Sequence, residues 1–398
     1  VLHHGNWPHG SDWLCEAVAE CYIPLLNSFN ELMAEGIKPK ITLDISPILC
    51  EQLEHPDFPA LFEQYCSNKI RLAVEDEKYF RKHNAQPHNV YLAQYWQNWY
   101  ATRVSEFTGR YNRSIVQAFR SLQDQNALEV ITCGATHGYF PLLGDDRSVA
   151  LQVKAAVENY QKHFGKSPRG AWLPECAYRP SYPWQTYIPV EKFNKPRKRA
   201  GVEEILSDFG IEFFFVDQQP TADGKPLGVL KDGALVPTWA KEYIPKRNSF
   251  DRTPLSLYNV RSEQPAFSGG TSIAFTRHQK VAMQVWSGDS GYPGDPAYLD
   301  FHKKHFTSAL RYWRVTDNRA DMMYKMLYVP DWIPEKIDTH AFHFIKSIET
   351  TLLNYRQQTG KTGTLCTPFD TELFGHWWFE GPQFVKSILR GLHHSPYV

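Results

Sequence analysis

Between residues 11 and 35 the apolar side chains Trp13, Leu14, Ala17, Val18, Cys21, Leu25, Phe29, Leu32 and Met33 recur at helical spacing. Ser11 or Asp12 is placed to cap the start and Gly36 to close the end, so the pattern predicts an amphipathic helix, bent at Pro24. A different period follows. KITLDISPIL (40–49), LEVITCGATHG (128–138), GAWLPE (170–175), IEFFFVD (211–217), AMQVWSGD (282–289) and GTLCTPFD (363–370) are short β-rich runs and predict strands. Helical stretches separate several of them; THAFHFIKSIETTLLNYRQQTG (339–360) opens on a Thr cap and ends at Gly360. Strands alternating with helices predict an α/β protein with a parallel sheet buried on both faces, and a β/α barrel is the closed form of that arrangement. Its chemistry gathers where strands end, and His137, Glu175, Asp217, Asp289 and Asp370 all fall there.

Two segments break the alternation. Residues 50–125 are mostly polar and helix-like, rich in Tyr, Gln and Asn, and read as a helical insertion. Residues 218–270 are rich in Gly, Pro and Ser with little period, and read as a long functional loop or lid. The expectation is one catalytic domain over 1–398 that carries both features.

Charge and composition narrow the partner. Lys plus Arg is 43 and Asp plus Glu is 43, so no global field draws the chain to nucleic acid or an anionic membrane, and a neutral partner is expected. No apolar run reaches 18 residues, and a soluble, cytoplasmic protein is expected. The seven cysteines are scattered, with no CxxC pair, and predict free buried thiols rather than a disulfide framework or zinc site. Aromatic residues make up 14% of the chain. Large cores account for part of that; clefts that stack rings on the apolar faces of sugars account for the rest more specifically.

Two carboxylates stand beside aromatic clusters: Glu175 near Trp172, Tyr178 and Trp184, and Asp370 near Phe369, Trp377 and Trp378. Each has a plain structural alternative. Glu175 could pair with Arg179 four residues on, and Asp370 could cap a helix beginning near Thr371. Together they match what glycosidic cleavage requires, one acid to protonate the leaving oxygen and a second to attack the anomeric carbon or activate water. His137 reads either as a core histidine or as a member of that site. In QVWSGDSGYPGDPAYLDFH, a turn dense in Gly and Pro is expected to present Trp286 and Tyr292 to a sugar; Asp289 and Asp295 do not have the spacing of a calcium loop.

The segments HGNWPHG...EAVAECYIPLL, THGYFPLLG, WLPECAYRP, QVWSGDSGYPGD and FDTELFGHWWFEGP run in order from the start of the chain almost to its end. They resemble the successive signature regions of glycoside hydrolase family 57, most closely those of its 1,4-α-glucan branching members. The resemblance implies an incomplete (β/α)7 barrel, a retaining mechanism on α-1,4-glucan (amylose or glycogen) and no metal or organic cofactor. It implies that Glu175 is the nucleophile and Asp370 the general acid/base. It further implies that His137, and Arg277 in FTRHQK, lie near the scissile sugar, and that Trp286 belongs to the binding cleft. His3 matches a histidine of the first barrel strand, and Trp7, Trp377 and Trp378 join the substrate-binding set through their motifs.

The chain departs from the pattern in three places. His3 runs straight into His4-Gly5, without the HxPYxR stretch. The sequence ends at HHSPYV, so the family's C-terminal helical domain is expected to be largely absent. Residues 218–240 hold no tyrosine to cover the site, leaving Tyr243 and Tyr258 as candidates. The expected reaction is cleavage through a covalent glucosyl-enzyme and transfer to a 6-hydroxyl; hydrolysis or 4-α-glucan transfer by the same carboxylates is the alternative, and a non-catalytic glucan binder a third.

Overall fold

The computed structural model describes all residues except 1, 3–4, 7–9, 186–190, 192–194, 219–220, 222–228, 232–233, 237–251, 263–269 and 320. The first amphipathic run becomes α1 (Ser11–Ala17), a π-helical turn over Val18–Tyr22, and α2 (Ile23–Ala34). Gly10, not Ser11 or Asp12, is the N-cap. The helix is interrupted by a π turn ahead of Pro24 rather than bent at the proline alone; Pro24 has no N–H for the carbonyl four residues back, and the wider turn absorbs that loss.

The chain continues through β1 (Ile41–Asp44), α3 (Pro47–Leu53), α4 (Phe58–Lys82), α5 (Pro87–Ser105), α6 (Ile115–Asp124) and β2 (Leu128–Cys133). Helices α3 to α6 occupy the stretch read as helical at 50–125. The turn after α5 brings Phe107 against Phe62 of α4, with ring centroids 4.6 Å apart, and Phe58, Phe62 and Phe107 are all sealed from solvent.

Next come α7 (Asp146–Phe164), β3 (Gly170–Trp172), the antiparallel pair β4 (Tyr182–Trp184) and β5 (Arg197–Arg199), α8 (Val202–Asp208) and β6 (Phe213–Val216). A hairpin of β7 (Val229–Lys231) and β8 (Ala234–Val236) precedes β9 (Tyr258–Val260) and β10 (Ser272–Thr276). Helices α9 (Gln279–Trp286), α10 (Ile333–Thr359) and α11 (Gly381–His393) complete the order. The expected lid, 218–270, lies largely outside the described residues.

The main sheet has six strands in the order β1-β2-β3-β6-β10-β9, parallel throughout except for the antiparallel edge strand β9. Gly170 is required at its centre: a methyl there would overlap the Phe213 ring of β6 and come within 2.9 Å of Ile131 of β2. One hydrophobic core joins the early helices to α10 and α11; a second, around Leu173, Phe214 and Ala274, fills the space between the sheet and α7 and α8.

Three sequence expectations need correction. Residues 282–289 are not a strand, because Val281, Ala282 and Val285 are buried along one side of helix α9. Residues 363–370 form no strand either; they touch the sheet through one parallel bridge, Cys366 to Arg277, and a bond from the His278 N–H to the Cys366 carbonyl, 2.8 Å. Helix α10 begins at Ile333 rather than at a Thr339 cap, with Pro334 in its first turn and Thr339 inside, bonded to the Glu335 carbonyl. All seven cysteines are unpaired, as their spacing predicts. Among the described residues, no helix is long and apolar enough to cross a membrane.

Candidate active site

Strand β2 ends at Cys133 and the chain turns sharply through Gly134 to His137, whose φ is 57°. Strand β3 ends at Trp172, and Glu175 and Cys176 follow with φ of 59° and 55°. Successive left-handed residues are costly for side chains with a Cβ, so the surroundings must hold them. Pro174 stiffens the turn, the Cys176 N–H bonds the Leu173 carbonyl at 2.8 Å, and a methyl at Gly134 would come within 2.8 Å of the Phe140 ring and 3.1 Å of Pro174. The two turns are thereby packed against each other.

This brings His137 Nε2 to 3.2 Å from Glu175 Oε1. The Cys133 sulfur stands 3.4 Å from His137 Nδ1. Burial pushes the Cys133 thiol well above its usual range. It therefore stays an S–H donor to Nδ1, and the Nε2–H is left to donate to Glu175. His137 is not a core histidine: its side chain is 45% exposed. Arg179, the alternative partner of Glu175, turns instead to Asp146 at 3.4 Å.

Arg277 follows β10, and its N–H bonds the Val216 carbonyl at the end of β6, 3.0 Å. Its Nε lies 3.8 Å from Asp217 Oδ1 and its Nη2 lies 4.0 Å from Cys176 Sγ. The guanidinium thus sits beside the Glu175 turn.

Asp370 arrives on the loop before α11, four residues after the Cys366 bridge to Arg277. It precedes a single 3-10 turn, Thr371–Leu373, to which its side chain gives no capping bond, so the cap alternative is not realised. Asp370 stays open to solvent at the surface of the site, yet crowding by its walls is the largest influence on it and pushes its pKa up. The charges of Glu372 and Glu175 push the same way, while Arg277 and His137 oppose. All four groups therefore surround one carboxyl.

The Asp370 loop is clamped by the π turn and its flanks. Cys21 Sγ donates to the Thr371 carbonyl at 3.1 Å, the Tyr22 hydroxyl donates to Glu372 Oε1 at 2.7 Å, and His376 Nε2 lies 3.3 Å from Glu16. Gly375, with φ of 125°, passes so close to the Glu20 carbonyl that any side chain would overlap it. Glu20 itself is buried against Arg311 at 2.6 Å. Sequence reasoning missed these supports, although Glu372, Glu16 and Tyr22 all lie within the signature segments; the segments alone do not show that the first and last of them meet. It also missed Asp44, which ends β1 as the other acids end theirs. Burial, then the charge of Glu372, pushes Asp44 up to about 8, and its Oδ1 is enclosed with no hydrogen-bond partner.

The remaining expected residues divide. Trp286 ends α9 and is 42% exposed; Trp377 is 48% exposed and stacks on Phe301 with centroids 4.7 Å apart. Trp378, expected to bind substrate, is corrected: at 1% exposure it packs on Phe384 and Tyr298 in the core. Tyr292 is corrected likewise, being buried with its hydroxyl 2.6 Å from His343 Nδ1. Tyr258 lies on β9 and donates its hydroxyl to the Thr253 carbonyl, so it does not cover the site. Asp289 is exposed in the turn after α9, its carbonyl accepting from Asn318. His3, Trp7 and Tyr243 lie outside the described residues.

A mostly parallel α/β sheet with one carboxylate bonded to a histidine just beyond a strand end, and a second carboxyl disfavoured as an anion, is an arrangement able to cleave a glycosidic bond. The chain belongs to glycosyl hydrolase family 57, whose model matches residues 1–361. It is 36% identical over 393 residues to a 1,4-alpha-glucan branching enzyme of Thermococcus kodakarensis, covering 99% of this chain and 54% of that protein. The crystal structure of that branching enzyme superposes with a TM-score of 0.83 over 98% of this chain and 65% of that one. A branching enzyme structure from Pyrococcus horikoshii gives 0.81 at 34% identity, covering 97% and 63%. An alpha-amylase structure from Thermotoga maritima gives 0.76 at 28% identity, covering 100% and 70%. The chain spans about half the length of the curated Thermococcus relative.

Proposed function

We propose that this chain carries the catalytic machinery of a cytoplasmic 1,4-α-glucan branching enzyme acting by retention. The observation that carries the reading is Asp370, raised as an acid by its walls and by the charges of Glu372 and Glu175, together with a Glu175 bonded to His137. Glu175 attacks C1 of a glucosyl residue while Asp370 protonates the departing oxygen, giving a covalent glucosyl-enzyme. Asp370 then takes the proton from a 6-hydroxyl of the acceptor, which attacks C1, releases Glu175 and forms the α-1,6 branch. His137 and Arg277 flank the reacting sugar, and Trp286 and Trp377 offer exposed rings for neighbouring glucosyl units. The incomplete (β/α)7 barrel is supported by the five parallel strands and by the Arg277 to Cys366 bridge, which leads from the sheet to the Asp370 segment. The cytoplasmic setting is supported by seven unpaired thiols.

Incubation with amylose tests the reading, with reducing ends and α-1,6 linkages followed in parallel by proton NMR. Branches accumulating with few new reducing ends are expected. Reducing ends rising without branches would replace branching by hydrolysis, the activity named for the Thermotoga structure.

A further inference from the structure

Asp217 is a charged residue at the end of β6 that the reaction above does not use. Its Oδ1 accepts the Gln218 N–H at 2.6 Å, and Gln218 Oε1 accepts the Gln279 N–H at 2.9 Å, which ties this strand end to the start of α9. The carboxylate is therefore fixed. Arg277, from the neighbouring strand end, has little freedom of its own, since its side chain is only 15% exposed. Its Nε is buried without a hydrogen-bond partner and faces Asp217 at 3.8 Å, so charge attraction rather than a hydrogen bond holds the guanidinium there. Around Arg277 stand Asp217, Cys176, Cys366 and Asp370; around Asp370 stand Glu372, Glu175, Arg277 and His137.

From this arrangement we infer that Asp217 is a positioning residue for the reaction: it holds the Arg277 guanidinium on the Cys176 side of the site and away from Asp370, so that Asp370 keeps the proton it must deliver. The inference rests on the assignment of Asp370 as acid/base. Without the Asp217 charge, the guanidinium remains enclosed, and Asp370 is a carboxylate whose charge still couples to it. A closer cation favours the charged form of Asp370 and strips its proton at lower pH.

The test reads the carboxyl directly, by NMR of the protein labelled with ¹³C at aspartate carboxyls, the Asp370 signal being assigned by its loss in Asp370→Asn. In Asp217→Asn the Asp370 midpoint is expected to fall by about one pH unit, while Asp217→Glu keeps it near the parent value. Asp217→Ser, which also removes the charge, gives the same reading if the Asn chain misfolds. In an Arg277→Gln background the Asp217→Asn shift should shrink to less than half, because the effect passes through Arg277. On amylose, kcat should drop about ten-fold with KM nearly unchanged. An unmoved Asp370 midpoint, or an equal shift with and without Arg277, overturns the inference. Because the titration needs no turnover, a chain inactive on glucan would sink the branching reading, while the Asp370 midpoint would still decide the role of Asp217.

Discussion

His137 Nε2 stands 3.2 Å from Glu175 Oε1, and both residues hold left-handed backbone although neither is glycine. Each turn alone would relax. They persist because Gly134, Phe140 and Pro174 pack the end of β2 against the end of β3, leaving no room for either turn to unwind.

The geometry makes Glu175 replaceable in shape but not in chemistry. Glu175→Gln is expected to lower turnover of amylose by on the order of 10³-fold or more while glucan binding, measured by isothermal titration, stays within about three-fold. Full activity in that variant would remove Glu175 from the nucleophile role.

The alkaline limb of the pH profile reads the acid assigned to Asp370. On the proposed mechanism Asp370 acts in its protonated form, and its pKa is raised, so the alkaline limb of kcat/KM is expected above the ordinary aspartate range. Glu372→Gln removes a neighbouring negative charge, which makes the Asp370 anion easier to form, so that limb should move to lower pH. A limb that stays in place would show that Glu372 does not act on Asp370.

Asp44 couples the sheet to pH in a way that stability measurements can read. Its folded pKa, about 8, exceeds its unfolded value near 3.8, so the folded state holds an extra proton between those limits. Its contribution to stability is full below the unfolded value and is lost as pH rises toward and through the folded one. Asp44→Asn should therefore gain stability over the parent progressively from about pH 4 to pH 8, on the order of a few kcal/mol at the top. Urea midpoints across that range check it; a difference independent of pH would mean the carboxyl is not held neutral.

Gly375 is the contact on which the Asp370 loop rests against the π turn. Gly375→Ala must move either the loop or the Glu20 carbonyl, and about 2 to 4 kcal/mol of destabilisation is expected, with kcat falling more than the change in KM. Thermal unfolding and steady-state kinetics measure the two together; an unchanged Tm would mean the loop has another stable seat.

Among the strands that sequence reading placed correctly, FFFV is a continuous apolar run and LEVITC is buried along most of its length, because burial on both faces leaves little choice of residue. The run AMQVW misled for the same reason. A short apolar stretch fits a buried strand or one side of a helix, and only the packing of Val281 and Val285 decides. Strand β10 was missed because its buried positions are the small or polar Ser272, Ala274 and Thr276 while Ile273 is exposed, beside a Gly-rich stretch, a weak signal for an element that places Arg277.

The sequence by itself determined the α/β alternation, the helical character of 50–125 and the free thiols, and it singled out the two carboxylates proposed for catalysis, since these depend on local period, on residue type and on motifs that survive in linear order. Tertiary structure decided which aromatic rings face solvent, separating exposed Trp377 from its buried neighbour Trp378, and which distant groups support the site. Tyr22 and Glu372 lie 350 residues apart in the chain, and Asp217 meets Arg277 only because β6 and β10 pair in parallel. Electrostatic influence depends on distance and enclosure in space, and neither is written in the order of residues along a chain.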